Sequence, residues 1–207
     1  MYGRCCTGPG NLFILDLLRV EHNIEGVVGI RVWQGGVARD EDAVLKAWFA
    51  PAITPEQHLA LAWYLEEGNR QLYHELAQRE DLPSLTGLMT ELGVAEERHQ
   101  ATLVALYQGI AGVDAVPDFP VGILAEVPEE TMLEGGMTLA EVREWGRDKA
   151  AADILELGMA MELNAYDRYL LLRRQAEDES VRRAFEVVSD EEKHHLERLS
   201  AVYEENL

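Results

Sequence analysis

The chain has 207 residues, 47% of them hydrophobic, enough to bury one sizeable core and carry an appendage. Its 38 acidic and 18 basic side chains give a formal charge of −20, which argues against nucleic acid or an anionic membrane surface as a partner. Apolar runs fall short of the roughly 20 residues a membrane span needs, and the apolar stretch 11–18 is broken by Asp16 with no small-residue cleavage pattern after it. Cys5 and Cys6 are the two cysteines, so no disulfide framework, zinc ribbon or rubredoxin-like iron site can be built from them. A cytoplasmic protein is expected.

Residues 1–50 form a first segment. Gly8, Gly10, Gly26, Gly29, Gly35 and Gly36 punctuate short β-branched runs such as the one from Val27 to Trp33, which predicts a small irregular unit with a little helix and strand rather than a long helix. Pro51 and Pro55 mark the boundary, and 51–207 is expected to be a second, all-α domain. Thr54-Pro55-Glu56 has the form of a helix start, with a cap, a proline in the first turn and an acid near the positive end. The helical period then predicts helices over about 55–80, 84–110, 148–176 and 178–204, with 81–84 as the first turn. The connector 111–147 is rich in Gly and Pro and ends in a short amphipathic helix from Thr138 to Trp145, with Thr138 as its cap. Two short turns and one long link predict a four-helix bundle with a single crossover connection.

Each long helix has an apolar seam at i, i+4, i+7 spacing that is interrupted at its middle. In the second helix the seam runs Leu85, Met89, Leu92, Glu96, His99, Leu103, Leu106. In the fourth it runs Val181, Phe185, Val188, Glu192, His195, Leu199, Val202. The first and third helices carry Glu66 with Tyr73 and Glu162 with Tyr169. The set Glu66, Tyr73, Glu96, His99 recurs as Glu162, Tyr169, Glu192, His195 at a constant offset of 96 residues, so one helical hairpin occurs twice.

Glu and His three residues apart share a helix face, and two hairpins together would bring four carboxylates and two imidazoles to one interior level. Four buried carboxylates are costly to desolvate unless cations lie between them. Two divalent ions would cancel their charge and leave the imidazoles neutral. Oxygen-rich ligation with one His per metal suits Fe or Mn better than structural Zn, and a Glu from each of two helices plus Glu-x-x-His from the other two is the donor set of di-iron carboxylate bundles. A single Glu-x-x-His would more often be a solvated face; two copies, each centred on an apolar seam with matching Glu and Tyr, point to a metal centre.

The run 190–195 also offers Glu191 with His194. The repeat selects Glu192 and His195, because that register aligns Leu103 with Leu199 and Tyr107 with Tyr203. His194 is then expected at the surface or just outside the ligands. Tyr73 and Tyr169 are expected either to hydrogen-bond a ligating carboxylate or to act as nearby electron donors, against the plainer alternative of core aromatics. Glu67, Glu97, Glu191, His58 and His74 are expected to be solvated, and Trp63 and Trp145 to serve packing.

The segments Glu66–Tyr73, Glu96–His99, Glu162–Tyr169 and Glu191–Leu196 together resemble the rubrerythrin-like branch of the ferritin-like superfamily over about 55–204. The resemblance implies a ferritin-like bundle holding a non-haem di-iron centre, often as a homodimer, in which reduced iron reacts with peroxide or dioxygen under oxidative stress. Its metal ligands would be Glu66, Glu96, His99, Glu162, Glu192 and His195, its cofactor two iron ions, with Mn or Zn as substitutes. With no rubredoxin module in the chain, electrons are expected from an external donor protein. The segment Gly29-Ile30-Arg31-Val32-Trp33-Gln34-Gly35-Gly36 resembles the end of a rhodanese-like domain, and Cys5-Cys6-Thr7-Gly8 resembles, more loosely, the start of its cysteine loop. Cys5 lacks the full loop of backbone donors that would cradle a persulfide, so a remnant or appendage without sulfur transfer is expected.

The expected activity is that of a di-iron oxidoreductase of peroxidase or oxidase type. The alternatives are a ferroxidase or iron-binding and storage module without redox turnover, and a structural or partner-binding bundle.

Overall fold

The computed structural model describes residues 54–114, 119–124 and 130–205. Residues 1–53, with Cys5, Cys6, the rhodanese-like segment and the boundary at 51, lie outside the described residues.

Four long helices and one short one make up the described chain: α1 (Pro55–Leu76), α2 (Thr86–Ala111), α3 (Leu139–Gly146), α4 (Ala151–Gln175) and α5 (Glu179–Glu205). Their starts follow from local chemistry. Thr54 accepts from the Gln57 N–H while the Gln57 side chain returns to the Thr54 N–H, and Pro55 occupies a position that needs no donor. Thr138 and Glu141 repeat this reciprocal cap for α3. Asp153 reaches back to the Ala150 N–H at the start of α4, and Asp178 accepts from the Ser180 and Val181 N–H groups at the start of α5. The first helix ends at Leu76, about four residues sooner than its periodicity suggests. Beyond it Arg79 pairs with Asp81 and donates to the Gly146 carbonyl at 2.6 Å, drawing the chain sideways toward α3.

Helices α1 and α2 pack as one antiparallel pair and α4 and α5 as the other, with α2 also against α5. Among the described residues the core has two large apolar clusters and a small third one of Leu61, Leu65 and Met132 beneath the crossover. One large cluster holds Leu72, Leu76, Met89, Leu92, Leu155 and Leu199; the other holds Leu59, Ala62, Leu103, Leu172, Phe185 and Val188. Glu66, Glu96, His99, Glu162, Glu192 and His195 lie between these clusters along all four helices, which makes them a polar layer with apolar packing above and below. Trp145 and Trp63 each pack against one cluster, as expected.

The crossover does more than connect. Its described end forms a tight turn in which the Leu133 N–H donates to the Met137 carbonyl at 2.8 Å and the Leu139 N–H to the Thr131 carbonyl at 2.8 Å. Gly135 and Gly136 turn the chain with φ of 94° and 79°, a region that side chains disfavour. This turn lies hard against α1 at Gly68, where a Cβ would sit 1.9 Å from the Met132 carbonyl oxygen. It buries Met132, Leu133 and Met137 and carries Glu134 inward.

A buried carboxylate and imidazole centre

The six side chains singled out by the repeat are all brought together and all buried. Glu66, Glu96, His99 and Glu192 form one group of converging donors, and Glu96, Glu162 and His195 form a second. The His99 and His195 rings stack with centroids 5.5 Å apart. His99 Nδ1 stands 3.1 Å from Glu192 Oε1, 3.2 Å from Glu96 Oε2 and 3.5 Å from Glu66 Oε2. His195 Nδ1 stands 3.1 Å from Glu162 Oε2 and 3.2 Å from Glu192 Oε2. Glu192 therefore turns one oxygen toward each imidazole, the disposition of a bridging carboxylate. Donor separations near 3 Å are the edge lengths expected around an ion bound at about 2.1 Å.

Tyr73 and Tyr169 lie within the layer's packing, and their hydrogen bonds cross between the hairpins. Tyr73, on α1, donates to Glu162 Oε1 on α4, and Tyr169, on α4, donates to Glu66 Oε1 on α1. Burial first, and then the charge of Glu162 beside Tyr73 and of Glu66 beside Tyr169, raises both phenols well above their usual range, so each stays a proton donor. Each tyrosine engages one oxygen of its carboxylate and leaves the other to the centre.

Three contributors escaped the sequence pattern. Arg168 is buried, donates to Glu66 Oε1 at 3.1 Å and forms an ion pair with the buried Glu134. Glu134 arrives on the crossover turn, where its N–H donates to Asn69 Oδ1 at 3.2 Å. Glu191, expected to be solvated, instead lies 2.9 Å from His99 Nε2 and fixes that ring from outside. Glu67 also departs from expectation: it is half-buried and accepts from Arg70, Gln71 and Gln100. His58 and His74 are half-buried rather than solvated, whereas Glu97 and His194 are exposed as expected. A signal for Arg168 did exist, since its counterpart at offset 96 is Leu72, a break in the repeat within an otherwise matched stretch.

The electrostatics show what the layer lacks. Burial, with the charge of Glu66 adding to it, pushes Glu96 well above the carboxylate range. Burial and the charge of Glu192 push Glu162 to about 7. Burial opposes ionisation of the imidazoles, yet the surrounding carboxylates prevail: Glu192 foremost raises His99 well above its usual value, and Glu162 foremost raises His195 to about 10. Without metal, protons take the place of cations. Glu66 Oε2, Glu96 Oε1 and Glu192 Oε1 are buried without a well-formed hydrogen bond, and the single Nδ1 of His99 is shared between the first and the last of them, an arrangement that is costly unless a cation receives those lone pairs. Counting Glu134 and Arg168, five ionised carboxylates and one guanidinium leave four negative charges, the complement of two divalent ions. The donor set fits a dinuclear metal centre.

A family model described as Rubrerythrin matches residues 57–203. The chain belongs to the rubrerythrin family. A rubrerythrin domain implies a di-iron carboxylate protein, and the buried Glu and His layer fits the metal site such a domain holds. Among solved structures, the chain is similar to the hypothetical protein Pfu-1136390-001 from Pyrococcus furiosus, with 24% identity, a TM-score of 0.56, and coverage of 75% of this chain and 92% of that one. At that identity the likeness supports the fold. No curated protein matches. Among the described residues no helix is long and apolar enough to cross a membrane.

Proposed function

We propose that this rubrerythrin-family chain is a redox protein that binds two iron ions through Glu66, Glu96, His99, Glu162, Glu192 and His195 and reduces peroxide or dioxygen with electrons from an external donor protein. The observation that carries the reading is the convergence of four buried carboxylates and two imidazoles in one layer whose net charge two divalent ions would cancel. Two ferrous ions, when bound, supply the two electrons that cleave an O–O bond.

The chain's own groups set the conditions for that chemistry. The two large apolar clusters exclude bulk water from the layer. Glu96 belongs to both donor groups and Glu192 turns one oxygen toward each imidazole, so these two would help hold both ions, with Glu66 and Glu162 each belonging to one group. Tyr73 and Tyr169 hold protonated hydroxyls against Glu162 Oε1 and Glu66 Oε1, limiting how far each carboxylate swings.

Iron-loaded protein is expected to contain about two metals per chain and to show a di-ferric absorbance that bleaches with dithionite and returns with peroxide. Return with dioxygen alone would remove the peroxidase assignment. A closed multi-subunit shell, in place of the homodimer that the family resemblance implies, would favour iron storage. The double variant Glu96→Ala/Glu192→Ala is expected to lose both metals; unchanged metal content and thermal stability would leave only a structural bundle.

A further inference from the structure

The two hairpins repeat their ligands but not the groups that hold those ligands in place. His99 Nε2 is held by Glu191 at 2.9 Å. By the same 96-residue offset, the position that would hold His195 is Ala95, which has no polar side-chain atom. His195 and Ala95 instead line a surface cavity of about 340 Å³ between α2 and α5, together with Leu92, Val94, Arg98 and Arg198. At the other side of the layer, Glu66 Oε1 accepts from both Tyr169 and Arg168, and Arg168 is itself held by Glu134. Glu162 Oε1 accepts from Tyr73, and Arg168's counterpart is Leu72. Four residues converge on the His99 group and three on the His195 group.

Every one of these added contacts falls on the Glu66–His99 donor group. Resting on the dinuclear reading above, we infer that the two metal positions are unequal: the Glu66–His99 position binds first and tightly, and the Glu162–His195 position binds second and exchanges through the α2/α5 cavity. Glu191 is the positioning residue that separates them. A carboxylate on the far nitrogen of a ligating imidazole fixes the ring's orientation and raises its basicity. Losing such a partner typically costs about 10–100-fold in metal affinity. His195 has no partner of this kind at the Ala95 position and is open to small solutes at its outer edge.

The test is calorimetric titration of metal-free protein with Mn(II), followed by timed removal with a chelator. Two steps at least about 10-fold apart are expected, with His99→Ala abolishing the tighter and His195→Ala the weaker. Glu191→Ala should weaken the tight step alone, by about 10–100-fold, and Glu191→Gln, which keeps an acceptor oxygen, should recover part of the loss. Ala95→Glu should fill the cavity mouth, tighten the weak step and slow its release to chelator. These stepwise affinities do not depend on turnover, and a merely structural Glu191 would leave them unmoved. Two equivalent sites, or a Glu191→Ala variant that weakens the second step instead, would overturn the inequality while leaving the dinuclear centre intact. No Mn(II) binding at all would end both readings.

Discussion

The two flanks of the polar layer are finished in opposite ways. Between α1 and α4 the crossover turn is pressed onto Gly68 and sends Glu134 to Arg168, so that flank is closed by backbone, apolar side chains and a buried ion pair. Between α2 and α5 the helices themselves are the wall, and a cavity reaches the edge of His195. The ligands are symmetric between the two hairpins, each of which gives one helix to each flank, whereas the surroundings of the two flanks differ. Duplication accounts for what binds; the unrepeated residues account for where solvent and solutes approach.

The closed flank is broken most severely at its ion pair. In metal-loaded protein, Arg168→Leu leaves Glu134 buried without its counter-charge and should destabilise the protein by about 3–5 kcal/mol in denaturant unfolding. Adding Glu134→Leu should recover most of that loss, because two apolar groups replace a pair whose burial is itself costly. If the single and double variants are equally destabilised, the pair is not the element that closes the flank.

A milder disruption is steric. Gly68→Ala places a methyl 1.9 Å from the Met132 carbonyl, so the turn must lift from α1. A cost of about 1–3 kcal/mol is expected, with faster amide exchange at Leu133 and Leu139 and little change at the α2/α5 flank. Equal exchange on both flanks would mean the turn is not an independent cover.

The smallest effect sharpens the comparison through pH. Burial raises Glu134 to about 8, with Arg168 opposing it and the negative charge of Glu66 reinforcing it; Glu162 is raised to about 7. A carboxylate raised on folding stabilises the native state fully below its unfolded value of 4.5, and that contribution is lost as pH climbs through the folded value. The Tm of the metal-free protein should therefore fall by several degrees between pH 5 and 8. Bound divalent metal would neutralise the layer and let Glu134 ionise against Arg168, so loaded protein should show a shallower fall. Parallel pH profiles with and without metal would break the link between the layer and its closed flank.

The helices, the seam and the six inward donors were legible because they obey a period. Spacings of three and four placed Glu96 and His99 on one buried face, and the offset of 96 chose Glu192 and His195 over Glu191 and His194. Residues that obey no period were not legible. Glu134 sits in a glycine-rich connector and finds Asn69 across 65 residues of sequence. Arg168 resembles the basic residues Arg173 and Arg174 that follow it on α4, and the one hint in the sequence is that it stands where the repeat has Leu72. Glu191 belongs to a run of acids in an acidic chain, and no sequence pattern indicated that the opposite hairpin's imidazole would meet it. The end of α1 was misjudged for a similar reason, since Arg79's partner Gly146 lies 67 residues away.

The crosswise tyrosines have a structural corollary. Each hairpin supplies the hydroxyl that the other needs, and the exchange is reciprocal. A single hairpin thus lacks half of its own clasp, but two identical copies about a twofold axis would complete both clasps at once. In its interior the chain has the logic of a fused homodimer, with Arg168 and Glu191 as the places where its two halves differ.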